Sequence, residues 1–160
     1  MDNFVTAVNE MLVEVYHNIL RVEEQALKSQ KHIPLSINEM HLIECVSAGG
    51  SEGATVSELA DKLNVTRPSV TVAVNKLELK RCLIRENCPK DGRVVRVRLT
   101  PEGKKINNYH TYYHRAMVRD LLTAFDKKEQ GDLLRLIGKL NDFFKNSLKP
   151  AAPKPVKNAL

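Results

Sequence analysis

Apolar residues recur at helical spacing from the start of the chain. Phe4, Val8, Met11, Leu12, Val15, Tyr16, Ile19, Leu20 and Ala26 predict a long amphipathic helix over about residues 3–30. Pro34 ends the connection that follows. Ser36 with Glu39 three residues later is a capping-box pattern. It opens a helix through Met40, Leu42, Ile43, Cys45 and Val46 that stops at Gly49-Gly50. Thr55-Val56-Ser57-Glu58 repeats the pattern and opens a short helix, Val56 to Leu63, with Leu59, Ala60 and Leu63 inward. After a turn at Asn64-Val65, Thr66 caps a helix reaching Leu77, and its first turn tolerates Pro68. Val70, Ala73, Val74 and Leu77 form the stripe expected to be buried. Arg67, Ser69, Thr71, Val72, Asn75 and Lys76 form the opposite face.

The period then changes. Leu83 to Cys88 and Val94 to Leu99 read as strands, and Val95-Arg96-Val97-Arg98-Leu99 alternates as a half-solvated antiparallel strand does. The turn between them is read at Pro89-Lys90-Asp91-Gly92-Arg93, with Asp91-Gly92 as the hairpin signal. Thr100-Pro101-Glu102 begins a long helix carrying Ile106, Tyr109, Tyr113, Met117, Leu121 and Phe125. A last helix from about Lys128 carries Leu133, Leu134, Ile137, Leu140, Phe143 and Phe144. The expected fold is mainly α with a small β-wing: a winged helix-turn-helix part at about residues 35–100, with long terminal helices at 1–34 and 101–148. Residues 1–148 are expected to be one domain. The Pro/Ala/Lys-rich tail, 149–160, is expected to be disordered.

The terminal helices show more apolar surface than one small winged domain can cover. A two-fold dimer with interdigitated helices is therefore expected. No apolar run approaches the ~20 residues of a membrane span, and Met1-Asp2-Asn3 opens no secretory signal. The expected location is the cytoplasm, without membrane insertion. Cys45, Cys82 and Cys88 form no CxxC pair, which argues against a zinc ribbon or a thioredoxin-like site and fits a reducing compartment.

Charge narrows the partner. Of the net +6, the segment Thr55–Thr100 carries +5, from ten basic and five acidic residues. Basic excess that coincides with a helix-turn-helix pattern points to DNA rather than to an ordinary solvated face. The helix starting at Thr66 is the candidate reader of the major groove. Arg67 suits guanine, and Asn75 suits adenine or a phosphate. Thr71, Pro68 and Val72 suit thymine methyls. Ser69, Lys76, Thr55 and Ser57 suit phosphates, as hydroxyls, a point charge and helix N-termini do. Arg93 on the wing, with Lys90 beside it, suits a narrow minor groove, and Asp91 is expected to hold Arg93 by a charge-assisted pair.

Asp91-x-Arg93 followed by Leu99-Thr100-Pro101-Glu102-Gly103, after Val65-Thr66 to Leu77-Glu78, resembles the MarR family of transcriptional regulators over about residues 4–148. That resemblance implies an obligate dimer on a palindromic operator, usually as a repressor. Val22-Glu23-Glu24, Ile37 to His41, Val70-Thr71, Asn75 with Leu77-Glu78, and His110 with His114 to Val118 look like the FabT-type regulators of fatty-acid synthesis. The likeness implies acyl-carrier protein with a long acyl chain as co-repressor, the chain lying between helices near His41, Tyr109, His110, Tyr113, His114 and Met117. Arg81 stands where the family usually has Gly after the recognition helix, and Gly92 where it is often basic.

Other readings are weaker. His110 and His114 have the i, i+4 spacing of metal ligands, but no carboxylate or thiol lies nearby in sequence. They are read as interface or effector-pocket residues, with no metal and no cofactor expected. Candidate bases exist for an enzyme (His41 with Glu39 and Glu44, or Tyr109, Tyr112 and Tyr113), without a nucleophile motif or phosphate loop. Catalysis is therefore not expected. A thiol redox sensor finds no support in the sequence.

Overall fold

The computed structural model describes residues 2–29, 35–88 and 91–148. Its elements run α1 (Asp2–Ser29), α2 (Ile37–Ser47), a 3-10 turn (Gly50–Glu52), α3 (Val56–Leu63), α4 (Arg67–Leu79), β1 (Leu83–Cys88), β2 (Asp91–Leu99), α5 (Pro101–Leu122) and α6 (Lys127–Ser147). Pro34, Pro89, Lys90 and the tail at 149–160 lie outside the described residues. Residues up to Tyr113 form one compact unit and residues from His114 a second, the division falling inside α5.

The helix starts are local chemistry. Ser36 Oγ accepts from the Glu39 N–H while Glu39 accepts from the Ser36 N–H, and Thr55 and Glu58 do the same for α3. Thr66 Oγ1 accepts from the Ser69 N–H at 3.3 Å, capping α4. Asp126 and Glu129 form a third capping box at the start of α6, a pattern legible in the sequence.

In the first unit, α2, α3, α4 and the hairpin enclose one core. Met40, Leu42, Ile43, Val46, Leu59, Val70, Val74, Leu77, Cys82, Leu83 and Val97 are essentially inaccessible. Each such aliphatic side chain contributes about 1.5–3 kcal/mol by leaving water. β1 and β2 pair antiparallel from Leu83 with Leu99 to Cys88 with Asp91. Ala54 bridges the outer side of β2, exchanging both backbone hydrogen bonds with Val97 at 3.0 and 2.7 Å. The hairpin differs from expectation at its tip. β2 already begins at Asp91, which pairs with Cys88, so Asp91-Gly92 are strand residues and not the turn.

The junction from β2 to α5 explains the Leu-Thr-Pro-Glu-Gly run. Thr100 Oγ1 lies 2.6 Å from the Arg81 carbonyl and accepts from the Gly103 N–H at 3.0 Å. The Thr100 N–H donates to the Cys82 carbonyl at 3.0 Å. A Cβ on Gly103 would stand 2.1 Å from that same carbonyl oxygen, so α5 can start there only on a residue without a side chain.

Helix α1 meets the core through its last turns, where Leu27 and Glu23 are buried. Leu27 falls outside the stripe read from the sequence. That stripe is largely solvent-facing in the single chain: Phe4 is 77% exposed, and Met11 and Tyr16 are each 60% exposed. Within the second unit α6 likewise presents Leu134, Ile137, Leu140, Phe143 and Phe144 to solvent.

Candidate nucleic-acid interface

Helix α4 divides as its sequence requires. Val70, Val74 and Leu77 face the core, while Arg67, Pro68, Ser69, Thr71, Val72, Asn75 and Lys76 are all exposed. Polar side chains held outward on a helix whose other face is locked cost nothing to desolvate until a partner arrives. Three anchors fix the helix. Lys80, after its last turn, donates to both carboxylate oxygens of Glu39 on α2 at 2.8 Å. Glu78 pairs with Arg85 of β1. Cys82 N–H returns to the Leu77 carbonyl at 2.9 Å. Burial alone would raise the Glu39 carboxyl, but the Lys80 ammonium and the Ser36 N–H outweigh it and hold the carboxyl below its ordinary value.

Several expected contact residues also carry local work. Thr71 Oγ1 donates to the Arg67 carbonyl at 3.0 Å, and the Thr66 and Ser69 hydroxyls lie 2.8 Å apart. The Thr55 N–H is taken by Glu58 at 2.7 Å, which sets a carboxylate at the start of α3, while Ser57 is half-buried beside it. That carboxylate is held low first by the Thr55 backbone bond. At the wing, Asp91 and Arg93 are exposed. The bond Asp91 makes is not the expected clamp on the guanidinium: its Oδ1 accepts from the Arg93 backbone N–H at 3.0 Å, so Asp91 shapes the strand start. Lys90 lies outside the described residues.

Folding also redistributes the charge count. Lys80 pairs with Glu39, Arg85 with Glu78, Arg96 with Glu58 and Arg98 with Glu86. Glu58, Glu78 and Glu86 already belong to the segment's count, so pairing lowers its excess only through Glu39, but it ties up four of its cations. Among the described residues Arg67, Lys76 and Arg93 remain as exposed cations on α4 and the wing, so the positive face is narrower than the sequence count implies.

Arg81 takes the left-handed conformation, φ 57°, in the α4–β1 turn, so the turn keeps the backbone that a glycine there would adopt. Cys82 is buried and Cys45 half-buried, and desolvation raises both thiols, the opposite of what a reactive thiolate needs.

The residues expected near an effector divide. His110 is buried, with Nδ1 2.8 Å from Glu44 Oε1 on α2. Tyr113 is half-buried and its hydroxyl donates to the Val22 carbonyl of α1 at 3.2 Å. His41 is half-buried and Tyr109 exposed. His114 and Met117, half-buried, belong to the second unit. None of the six lines the groove of about 550 Å³ along Ser47, Ile84, Arg98, Lys104 and Asn108.

No helix among the described residues is long and apolar enough to cross a membrane.

Comparison with known proteins agrees with this geometry. The MarR family model matches residues 35–94, from the start of α2 into β2. FabT of Streptococcus pneumoniae, solved in complex with DNA, superposes with a TM-score of 0.82 at 30% identity, covering 89% of this chain and 98% of that one. YhjH of Bacillus subtilis, an uncharacterised helix-turn-helix transcriptional regulator, is 33% identical over 69% of this chain. That match spans 60% of YhjH's own length. MepR of Staphylococcus aureus, in its DNA complex, shares the fold at 19% identity, with a TM-score of 0.67 over 84% of this chain and 94% of that one. A locked helix with an outward polar face, a two-stranded wing and these likenesses place the chain in the MarR family of DNA-binding winged helix-turn-helix transcriptional regulators.

Proposed function

We propose that the protein is a homodimeric repressor of fatty-acid synthesis genes, acting on an A/T-rich palindrome with long-chain acyl-carrier protein as co-repressor. The observation that carries the DNA part is α4 itself: its apolar side is sealed in the core and its whole polar side is open. Two copies related by a two-fold axis would set paired α4 helices in successive major grooves. Arg67 reads guanine, Asn75 reads adenine or holds a phosphate, and Pro68, Val72 and the Thr71 methyl meet thymine methyls. Ser69, Lys76, Ser57 and Thr66 hold the backbone, with Thr55 acting mainly through its cap. Arg93, with Lys90 near it in sequence and its backbone N–H held by Asp91, enters the minor groove.

The apolar stripes left open on α1 and on α6 support association with a second copy, since exposed apolar area of this extent on a soluble domain seeks cover. The fatty-acid assignment rests on the likeness to FabT at 30% identity over nearly all of that chain. An acidic carrier protein suits the net positive charge of this one.

Selection of bound sequences from random DNA, repeated with and without acylated carrier protein, tests both parts. The expected outcome is a palindrome bound ~10³-fold or more tighter than random DNA, with affinity raised by the long-chain acylated carrier and not by the unacylated one. Enrichment of no common sequence would remove the operator reading. Equal affinity with both carriers would remove the co-repressor.

A further inference from the structure

The groove beside the wing contains none of the residues expected to meet DNA or an effector. It measures about 550 Å³ and lies wholly within the first compact unit. Four segments wall it: the end of α2 with Ser47, the 3-10 turn with Ser51, the hairpin with Ile84, Glu86, Arg98 and Leu99, and the first turns of α5 with Lys104 and Asn108. Its volume falls in the range that holds a small metabolite. The lining is rich in hydrogen-bond donors. Ser51, Lys104 and Asn108 are exposed, and their side chains make no ion pair or hydrogen bond among the described residues. Ser47 Oγ accepts from Asn107 Nδ2 at 3.1 Å, which leaves its own hydroxyl hydrogen to donate. Arg98 is fixed at both ends of its side chain. Its Cγ lies against Gly53, where a Cβ would approach to 2.6 Å, and its Nη1 donates to Glu86 Oε2 at 2.6 Å. Among the described residues of the lining Glu86 is the one acid, and Arg98 engages it, so Lys104 leaves the groove net positive. Ile84, exposed, and Leu99, half-buried, add apolar surface. An adjoining cavity of about 190 Å³ shares Ser51, Glu86 and Arg98. Arg96 on its wall keeps a buried Nε with no hydrogen-bond partner among the described residues, a donor that is costly to bury unless an acceptor reaches it.

We propose that this groove binds a phosphorylated small molecule, its phosphate held by Arg98 and Lys104 with the two serines and Asn108, and its apolar part resting on Ile84 and Leu99. A phosphate monoester presents three strong acceptor oxygens and up to two charges, which this donor set can satisfy. A carboxylate offers fewer acceptors and a single charge, and would leave several of these donors unused. A pre-positioned guanidinium and an unpaired ammonium on one groove are the cations that phosphate oxygens select. The groove contains no residue of α4, so the proposal goes beyond the operator and fatty-acid readings and does not depend on either.

The test is calorimetric titration of the full chain at low salt with phenyl phosphate, beside inorganic phosphate and benzoate. The expected Kd for phenyl phosphate is about 0.1–1 mM, with inorganic phosphate and benzoate each ~10-fold weaker or more. Amide resonances of Ser51, Ile84, Arg98 and Lys104 shift on binding, and those along the exposed side of α4 do not. Lys104→Gln and Arg98→Gln each lower the affinity ~10-fold or more. The Lys104 side chain is exposed and unpaired, so that variant keeps the fold even where Arg98→Gln disturbs the hairpin. Lys105→Gln removes the neighbouring cation, which pairs with Glu102 and lies outside the lining, and leaves the affinity unchanged. The proposal is overturned if phenyl phosphate gives no saturable heat, if benzoate or inorganic phosphate binds as tightly, if the shifts gather on α4, or if Lys104→Gln binds like the wild type. Operator binding is read separately, so its failure leaves this result intact.

Discussion

Arg81→Gly is expected to stabilise the protein, although it removes a charged side chain. Arg81 holds φ 57°, where a Cβ crowds the backbone at a cost of roughly 1–2 kcal/mol. The conformation is imposed by its neighbours. Its N–H donates to the Glu78 carbonyl at 2.8 Å, and its own carbonyl meets the Thr100 hydroxyl at 2.6 Å. The exposed side chain makes no ion pair among the described residues, so its loss is nearly neutral. Glycine relieves the crowding but frees the unfolded chain, which returns about 0.4–1 kcal/mol. The net gain is about 0.5–1 kcal/mol, or about 2–3 °C in Tm for a chain of this size. Thermal unfolding followed by circular dichroism at fixed protein concentration measures it. Arg81→Ala is the control, because it deletes the charge and keeps the Cβ. If alanine stabilises as much as glycine, the effect belongs to the side chain and the backbone argument is wrong.

Gly103→Ala should destabilise by ~1–3 kcal/mol in denaturant titration. Helix propensity alone favours alanine by ~1 kcal/mol. The clash wins because the Cys82 carbonyl it meets is tied to the Thr100 N–H and cannot retreat. Glu39 is held below its ordinary pKa, so its contribution is complete above about pH 5 and is lost as pH falls through the folded value. Glu39→Gln should therefore flatten the acid limb of the stability profile below about pH 4, and an unchanged limb would dismiss that role. Arg93→Ala should weaken operator binding by ~1–3 kcal/mol and reduce its salt dependence by about one ion, read by fluorescence anisotropy at several salt concentrations. An unaltered affinity would remove the wing contact. Thr66→Ala, which strips the α4 cap, should cost ~1 kcal/mol in stability, also by denaturant titration.

What the chain determined by itself is its local chemistry. The caps at Ser36, Thr55 and Thr66, the 3.6-residue stripe through Val70, Val74 and Leu77, and the period-two run at Val95–Leu99 each depend on neighbours a few residues apart. These located α2, α3, α4, β2 and the exposed face of α4, because capping and amphipathicity act over one or two turns. The hairpin tip was misplaced because strand pairing between Cys88 and Asp91 overrode a turn signal that Asp91-Gly92 carries in isolation. Only the tertiary structure decided which charges remain exposed, since Arg85, Arg96 and Arg98 find carboxylates across the hairpin or beside it. It alone explained Gly103, whose neighbour is the Cys82 carbonyl just before β1. It also set the Glu23 carboxylate beside His110, a meeting that no periodicity encodes because the two lie on different helices brought together by packing.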